Sequence, residues 1–380
     1  MSYSINQERL IKRFLELTVI DCESFHERKI GERVESELRR IGLAVRTDTT
    51  AEDYLEHHPE SYPNIYAVLP ASDGREQEEP LLLAAHLDTV SPGHGKTAIV
   101  HDDGTIASDG KTVLGADDAA GLAIILEALE SIVEQRIKHP EIEVLITPAE
   151  EAFCEGSGRF HFPLLKSKKA YVFDLDGPVG TAAHAAPSIL SFSIEIHGRA
   201  AHAGFAPESG INALSIAAKA LSILPTGRID AKTTVNFGTI SGGTGINIVP
   251  ERVTITGEVR SFIHSEAVRR RDEIFDRFEK VAQAHGGDAE FFSREHIRAY
   301  RVEEESAAVG HFRKAAKAVG YPVGDLRTTY GGSDANRMNE HGIDALVVAC
   351  AMENVHTTAE RTSKNELARA AVLALALIAE

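Results

Sequence analysis

The chain has 380 residues, of which 43% are hydrophobic and 26% charged, and a formal net charge of −17 at pH 7. This length exceeds what a single hydrophobic core usually organises, so we expect two domains. The surplus of carboxylates argues against nucleic acid and anionic membranes as partners, because both would repel the chain.

Targeting and disulfide signals are weak throughout the sequence. The N-terminal stretch MSYSINQERLIKRFLEL mixes charged with apolar residues and lacks the apolar core of a signal peptide. The longest apolar run, residues 370–379, is too short to cross a bilayer. The scattered cysteines Cys22, Cys154 and Cys350 favour neither a disulfide framework nor a thiolate zinc site. We therefore expect a cytoplasmic protein.

The N-terminal part of the chain predicts helices at 5–17 and 27–41 and strands at 64–69 and 80–85. The second strand leads into His86-Leu87-Asp88. Residues two apart on a strand share a face, so His86 and Asp88 can point to one site, where the carboxylate would fix the tautomer of a metal-binding imidazole. An exposed histidine followed by a turn aspartate explains the tripeptide equally well.

An acidic turn after Gly115 then opens a long apolar helix. Asp117 and Asp118 precede apolar residues at helical spacing. The free N–H groups and the dipole at a helix start favour an anion, which makes Asp117 a candidate N-cap. A metal-ligand role is compatible with this, since a capping carboxylate can keep its outer oxygens free for cations.

Further apolar strands also end in carboxylates. A strand at 141–148 leads into Glu150-Glu151, and one at 170–173 leads into Asp174, with Asp176 two residues on. The carboxyl ends of strands in an open α/β sheet face one crevice, so these groups are expected to lie together. Clustered carboxylates repel one another unless cations compensate, which predicts one or two bound divalent metals.

From residue 188 the pattern changes to alternating apolar and polar residues, typical of half-exposed antiparallel strands. The order β-α-β-β-α-β follows, with helices at 209–224 and 265–286 and later strands at 233–240, 252–262 and 289–296. An α/β pattern resumes at 306–319, 345–349 and 364–379, and His356 lies between the last two elements. We predict a catalytic domain at 1–187 and 299–380, interrupted by an inserted domain at 188–298.

Five ordered segments carry a resemblance to a known family. AAHLDTVSPG, GADDAAGLA, TPAEEAFCEGS, AYVFD and NVHTTAERTS resemble the motifs of the M20 family of zinc metallopeptidases, and most closely its peptidase T-like branch of aminopeptidases. The resemblance covers nearly the whole chain. It implies an α/β fold in which a mixed-sheet zinc-exopeptidase catalytic domain carries an inserted α+β lid and dimerisation domain.

The resemblance also implies a metal site. His86 and Asp174 would bind one zinc, Glu151 and His356 would bind the other, and Asp117 would bridge both. Two Zn²⁺ per subunit are therefore the implied cofactor, and Co²⁺ or Mn²⁺ would fit such ligands too. The peptide bond after Asp117 would be cis.

The same resemblance implies catalytic roles and partners. Glu150 would be the general base that takes a proton from a metal-bridging water, and Asp88 would orient His86. The inserted domain would form a homodimer and deliver His202 to the active site of the partner subunit as an oxyanion donor. The implied substrates are short peptides.

The chain departs from the family pattern in places. Many relatives carry a lysine after the paired aspartates, where this chain has Ala119. Alignment from the segment GPVG would select Asp176 instead of Asp174 as the ligand. Peptidase T has an arginine, linked to the substrate carboxylate, before its Gly-Gly-Thr-Asp segment, whereas Tyr330 stands here. Tripeptide specificity is therefore not carried over.

Two residues of the inserted domain are candidates for substrate binding. Arg260 lies on a predicted strand and Asn247 in the glycine-rich turn GGTGINIVP. A surface ion pair would explain Arg260 as well, and a turn-forming role would explain Asn247.

Three functions fit these observations. The first is an aminopeptidase, and the second is an M20-type deacylase or other amidohydrolase. The third is a metal-stabilised binding protein that has lost turnover. Glu150 favours an enzyme, because a binding protein has no need of a free carboxylate beside a metal ligand.

Overall fold

The computed structural model describes residues 3–48, 52–322 and 326–380. The chain divides into two units. The first unit comprises Met1–Ala185, Arg301–Thr329 and Ser333–Glu380, and the second comprises Ala186–Tyr300 with Tyr330–Gly332.

The amphipathic and apolar stretches form helices. Within the described residues these are α1 (Gln7–Thr18), α2 (Arg28–Ile41), α3 (Glu52–His57), α4 (Ala116–Gln135), α5 (Ala213–Leu221), α6 (His264–Ala284), α7 (Ala307–Ala318), α8 (Asp334–Glu340) and α9 (Lys364–Ala379). Polar side chains cap several helix starts, as where Ser363 accepts a hydrogen bond from Glu366 N. Gly42 ends α2 in the left-handed conformation at φ 110°.

The strands are shorter and more numerous. In chain order they are β1 (Ala44–Thr47), β2 (Ile65–Leu69), β3 (Leu81–His86), β4 (Ala98–Val100), β5 (Thr105–Ser108), β6 (Ile142–Thr147), β7 (Lys169–Asp176), β8 (Ala182–Ala186), β9 (Ser188–His197), β10 (Gly227–Arg228), β11 (Thr233–Gly242), β12 (Arg252–Ser261), β13 (Asp288–Ile297), β14 (Tyr300–Arg301), β15 (Leu326–Thr328), β16 (Asp344–Met352) and β17 (Arg361–Ser363).

A mixed sheet organises the first unit. Its strand order is β1-β2-β6-β3-β7-β16-β8-β14, with β15 paired to β8. The central neighbours β6, β3, β7 and β16 run parallel. Strand β2 pairs antiparallel with β1 and β6, β8 pairs antiparallel with β16, and β15 runs parallel to β8. Strands β3 and β6 are buried along their whole length, which explains their continuous apolar sequence. The carboxyl ends of the four parallel strands therefore meet at one edge.

The second unit is a two-layer α+β domain. Its antiparallel sheet has the order β10-β11-β12-β9-β13, and its core includes residues of α5 and α6. Along β9, buried Leu190, Phe192, Ile194 and Ile196 alternate with half-buried neighbours. The predicted α/β class, with a mixed sheet and a β-α-β-β-α-β insertion, is confirmed.

The differences from the predicted elements have local causes. Helix α5 begins at Ala213 instead of residue 209, because Pro207–Ser209 forms a separate 3₁₀ turn and Asn212 caps the helix. Strand β7 continues through Asp174 to Asp176. The small sheet β17-β5-β4 was missed because its strands have only three or four residues each. Among the described helices, none is long and apolar enough to cross a membrane.

Candidate metal centre and active site

Ionisable residues from separate segments meet at the carboxyl edge of the parallel strands. His86 ends β3, Glu150 and Glu151 follow β6, and Asp174 lies near the end of β7. Asp117 lies at the start of α4, and His356 lies in the loop between β16 and β17. The shared strand direction therefore brings together residues that are far apart in the sequence.

The first group of potential ligands consists of His86, Asp117 and Asp174. The Nε2 atom of His86 lies 3.0 Å from Asp117 Oδ1 and 3.6 Å from Asp174 Oδ1. One ligand atom from each residue lies within 4.8 Å of the others. These three side chains could hold one metal ion.

The second group consists of Asp117, Glu151 and His356. The Nε2 atom of His356 lies 3.1 Å from Asp117 Oδ2 and 2.8 Å from Glu151 Oε1. Asp117 thus belongs to both groups and turns a different oxygen toward each histidine. A carboxylate in this position is suited to bridging two cations.

The spacing of the donor atoms fits a divalent cation. Tetrahedral Zn²⁺ has ligands at about 2.0–2.1 Å, so neighbouring ligand atoms lie about 3.3 Å apart. The distances from the histidine Nε2 atoms to the carboxylate oxygens range from 2.8 to 3.6 Å, and this range includes the expected value. Glu151 Oε1 is buried and makes no aligned hydrogen bond, despite its distance of 2.8 Å from His356 Nε2. A cation bound by this group would supply a partner for this buried oxygen.

The charges of the two groups depend on one another. Burial opposes protonation of His86, but the hydrogen bond to Asp117 and the nearby carboxylate of Asp174 raise the pKa of its imidazole well above the ordinary value. The adjacent carboxylates of Asp117 and Glu151 raise the pKa of His356 to about 10. Burial raises the pKa of the Asp174 carboxyl to about 7. The protonated histidines here supply positive charge that a bound cation would replace.

Glu150 lies beside Glu151 but belongs to neither of the two groups. Its side chain is 8% exposed, and its Oε1 accepts a hydrogen bond from Cys154 Sγ at 3.4 Å. Burial, and then the charge of Asp174, raise the pKa of the Glu150 carboxyl well above its usual range. A carboxylate that lies outside both groups that share Asp117 and has a raised pKa is suited to take up a proton.

Asp88 contacts both parts of the site. Its Oδ1 lies 3.4 Å from His86 Nδ1, although this pair lacks hydrogen-bond alignment. Its two oxygens also accept hydrogen bonds from Glu150 N at 2.8 Å and Glu151 N at 3.1 Å. Asp88 therefore fixes the turn that carries both glutamates, a contact that the strand pattern did not predict.

The acidic turn at α4 differs from the sequence-based expectation in one respect. Asp117 and Asp118 have non-helical dihedral angles, and the peptide bond between them is cis, as the resemblance implies. Asp118 caps the regular helix, since its Oδ1 accepts from Gly121 N at 2.9 Å while its Oδ2 accepts from His86 N. The prediction of Asp117 as an N-cap is wrong, because both of its oxygens face histidines.

Comparisons with known proteins agree with this arrangement. The peptidase dimerisation domain of M20 peptidases matches residues 184–290, and peptidase family M28 matches residues 64–206. The crystal structure of a tripeptidase from Staphylococcus aureus is similar over 99% of this chain and 98% of its own, with 34% identity and a TM-score of 0.92. Aminopeptidase PepT from Bacillus cereus has 37% identity over the same shares, with a TM-score of 0.89.

The chain belongs to the M20 peptidase family. These matches place it on the peptidase T-like branch, and it is a hydrolase of that metal-dependent family. A third structure, the YXEP protein of Bacillus subtilis, is a dinuclear metal-binding peptidase from the M20 family. The match to this structure covers 98% of both chains, with 19% identity and a TM-score of 0.73. This likeness concerns the fold alone.

Two buried glutamates of this M20 peptidase were not predicted from its sequence. Glu360 accepts hydrogen bonds from Gly115 N at 2.8 Å and Asp117 N at 2.9 Å. Glu27 accepts from Ala149 N at 3.0 Å. Both glutamates bind the backbone of turns that carry site residues. Neither has a sequence signal, because a helix-start glutamate and a loop glutamate are usually exposed.

The remaining predicted residues of the peptidase lie in the second unit. His202 is exposed, and its Nδ1 accepts hydrogen bonds from Gly204 N and Phe205 N, both at 3.1 Å. Because Nδ1 accepts these two bonds, the ring proton lies on Nε2, which can act as a donor. Exposed Asn247 lies on the adjoining loop, which is joined to the His202 segment through Ala203 N and Asn247 O at 2.9 Å.

Arg260 of the peptidase is already engaged on strand β12. Its Nε donates to Glu258 Oε1 at 2.8 Å, its Nη2 donates to Glu258 Oε2 at 3.1 Å, and its Nη1 donates to Tyr330 O at 3.1 Å. Tyr330 also packs against Phe262 and under the Arg228 guanidinium. A substrate carboxylate at Arg260 would have to compete with Glu258.

Proposed function

We propose that this M20 peptidase is an aminopeptidase for short peptides that uses two zinc ions per subunit. The observation that carries the proposal is that Asp117 offers one oxygen to each of two ligand groups. The relatives support the substrate class, since the Staphylococcus aureus protein is a tripeptidase and the Bacillus cereus protein is an aminopeptidase. The Bacillus subtilis protein, which shares this fold, is itself a dinuclear metal-binding peptidase.

In this proposal His86 and Asp174 hold one cation, Glu151 and His356 hold the other, and Asp117 binds both. When bound, the cations would supply Lewis-acid polarisation of the scissile carbonyl and would lower the pKa of a shared water. Zinc suits these histidine and carboxylate donors, and Co²⁺ or Mn²⁺ are further candidates.

The protein's own groups handle the protons. Glu150 accepts the proton of the attacking water at its free carboxylate and donates it to the leaving amine. Asp88 orients the His86 imidazole and accepts hydrogen bonds from the backbone N–H groups of Glu150 and Glu151, which fixes the turn that carries the base and the ligand. The adjacent glutamates can divide their roles because Glu151, unlike Glu150, lies in one of the two groups that share Asp117.

We also propose that the inserted domain, 188–298, forms a homodimer and supplies His202 to the partner's active site. The match to a peptidase dimerisation domain supports this assignment. Exposed apolar side chains on the same unit, Phe205 and Ile246, support an interface there. His202 Nε2–H would donate to the developing oxyanion, and Asn247 and Arg260 would contact the substrate.

Other expectations stay predictions. The domain boundaries at 188 and 298 rest on sequence pattern. A cytoplasmic location rests on the N-terminal sequence, and the exclusion of nucleic acid and membrane partners rests on the net charge of −17.

A panel of matched peptides with free and acylated N-termini tests the proposed function, after metal analysis of the purified protein. We expect two zinc ions per subunit and cleavage of the free-amine peptides alone, releasing the N-terminal residue. Preferred cleavage of the acylated series would favour the deacylase alternative. Turnover of neither series by the metal-loaded protein would favour the binding-protein alternative and contradict the proposal.

A further inference from the structure

The Glu360 side chain is buried against the acidic turn. It is 1% exposed, and both carboxylate oxygens accept backbone hydrogen bonds, Oε2 from Gly115 N and Oε1 from Asp117 N. Gly115 has a φ of 74° and Asp117 has non-helical angles, so these N–H groups lie outside the regular helix. A carboxyl group that accepts hydrogen bonds from two backbone donors through both of its oxygens holds the turn in one geometry.

Glu360 belongs to the same closed loop as His356. Glu353 and Arg361 exchange backbone hydrogen bonds of 2.9 and 3.0 Å across the base of the loop. Within it, Glu360 N donates to Thr357 O at 3.1 Å, and His356 adopts a φ of 60°. The position of the His356 ring therefore depends on a short segment that Glu360 attaches to the rest of the site.

The loop meets the Asp117 residue through two contacts. Glu360 binds the backbone N–H of Asp117, while His356 Nε2 lies 3.1 Å from the Asp117 side-chain Oδ2. The separation of two ligand atoms decides how well they share a cation, because Zn²⁺ requires ligand distances within a few tenths of an ångström. Glu360 therefore connects the loop that carries His356 to the turn that carries Asp117. The distance between these two segments decides how well the second ligand group can hold a cation.

We propose that Glu360 is a positioning residue that fixes His356 relative to Asp117 and thereby sets the affinity of the Asp117–Glu151–His356 group for its metal. This inference rests on the two-metal site of the proposed function. In this proposal Glu360 neither binds the metal nor contacts the substrate. It acts through the backbone of Asp117 and through the loop that carries His356.

The substitution Glu360→Gln tests the inference with little change in volume. An amide can accept from only one of the two N–H donors and turns its own N–H₂ toward the other. Loss of a supporting hydrogen-bond partner typically weakens metal binding by about 10–100-fold. We expect Glu360→Gln to lower the affinity for one of two zinc ions by this factor, measured by competition with a chromophoric chelator and by metal content after dialysis.

The variant Glu143→Gln is a matched control. Glu143 is also a fully buried carboxylate in the first unit, and it accepts hydrogen bonds from the backbone N–H groups of Lys166 and Ser167. It lies outside both ligand groups. We expect Glu143→Gln to lower the melting temperature of the metal-free protein while both zinc affinities stay at wild-type values.

A double variant identifies the metal that is affected. His356→Ala should remove the second metal, and adding Glu360→Gln to it should change the remaining affinity less than threefold if Glu360 acts through the His356 group. Wild-type affinities for both metals in Glu360→Gln, or equal weakening of zinc binding in Glu143→Gln, would overturn the inference. A wild-type protein that binds only one zinc would instead overturn the two-metal proposal.

Discussion

Asp174 and Asp176 lie two residues apart on β7, yet their carboxylates face different partners. Asp174 Oδ1 lies 3.6 Å from His86 Nε2, whereas Asp176 Oδ1 accepts a hydrogen bond from Arg327 Nη2 at 2.7 Å. Two residues at this spacing share a face on a regular strand. The pairing of β7 with β16 becomes irregular at this point, which separates the two side chains.

We predict that Asp174→Asn removes one metal ion and that Asp176→Asn does not. Asp174 belongs to a ligand group, and an amide cannot replace a carboxylate ligand of Zn²⁺, so the affinity should fall by more than about 100-fold. Asp176→Asn removes only a partly exposed ion pair and serves as the control. Metal content after dialysis is the measurement, and equal zinc content in both variants would contradict the assignment of Asp174.

Much of the fold and of the site follows from sequence pattern. Continuous apolar strands that end in His86, Glu150 and Asp174 predict a parallel sheet edge with a polar crevice, because strand direction alone brings such ends together. The alternation along β9 likewise predicts the second unit. These features could be predicted because the spacing of apolar residues along the chain indicates which positions are buried.

The parts that escaped prediction depend on contacts between distant segments. The choice between Asp174 and Asp176 depends on an irregular register with β16. The backbone contacts of Glu27 and Glu360 join residues separated by 122 and 243 positions, and no local pattern marks them. Asp118, and not Asp117, caps the regular part of α4. This one-residue difference depends on the geometry of the turn, which no local sequence pattern marks.

We predict that Gly121→Ala destabilises the protein. An added Cβ would overlap the carbonyl oxygen of Phe173 and the carboxylate of Asp118, and overpacking of this kind costs about 1–3 kcal/mol. Gly310→Ala on α7 is the control, because its Cβ would meet no atom within 4 Å. Alanine there should raise the free energy of unfolding by up to about 1 kcal/mol. Urea unfolding measures both, and equal effects of the same sign would contradict the close packing at Gly121.

We predict that His202 acts in the partner subunit. His202→Ala should lower kcat by about 10²-fold through loss of an oxyanion donor and leave the zinc content unchanged. Mixing it with Glu150→Gln, after dissociation and reassociation, should restore part of the activity, since each heterodimer contains one site with both residues intact. Heterodimers that form without any recovery of activity would show that His202 does not act in trans.

Acid should destabilise the fold through His311. Its Nε2 donates to Leu377 O at 2.8 Å, and burial, with a smaller effect of Lys169, lowers its pKa to about 4. The unfolded state, with an ordinary histidine pKa near 6.5, then binds a proton that the folded state does not bind between about pH 6.5 and 4. Stability therefore falls as pH falls through this window, by at most about 3 kcal/mol from this group.

The substitution His311→Gln isolates this contribution. Glutamine can still donate to Leu377 O but does not titrate, so the free energy of unfolding should depend less steeply on pH between 6.5 and 4. Urea unfolding of the metal-free proteins at several pH values in this range gives the two slopes. Identical slopes for the wild type and the variant would contradict the depressed histidine pKa.

The most direct test of the two-metal peptidase account is made on the variant Glu150→Gln. Its zinc content and its kcat on a free-amine peptide are measured on the same preparation. Glu150 lies outside both ligand groups that share Asp117, so the variant should keep two zinc ions per subunit. Without the base, kcat should fall by about 10²–10⁴-fold. Full activity, or loss of zinc together with activity, would contradict the account.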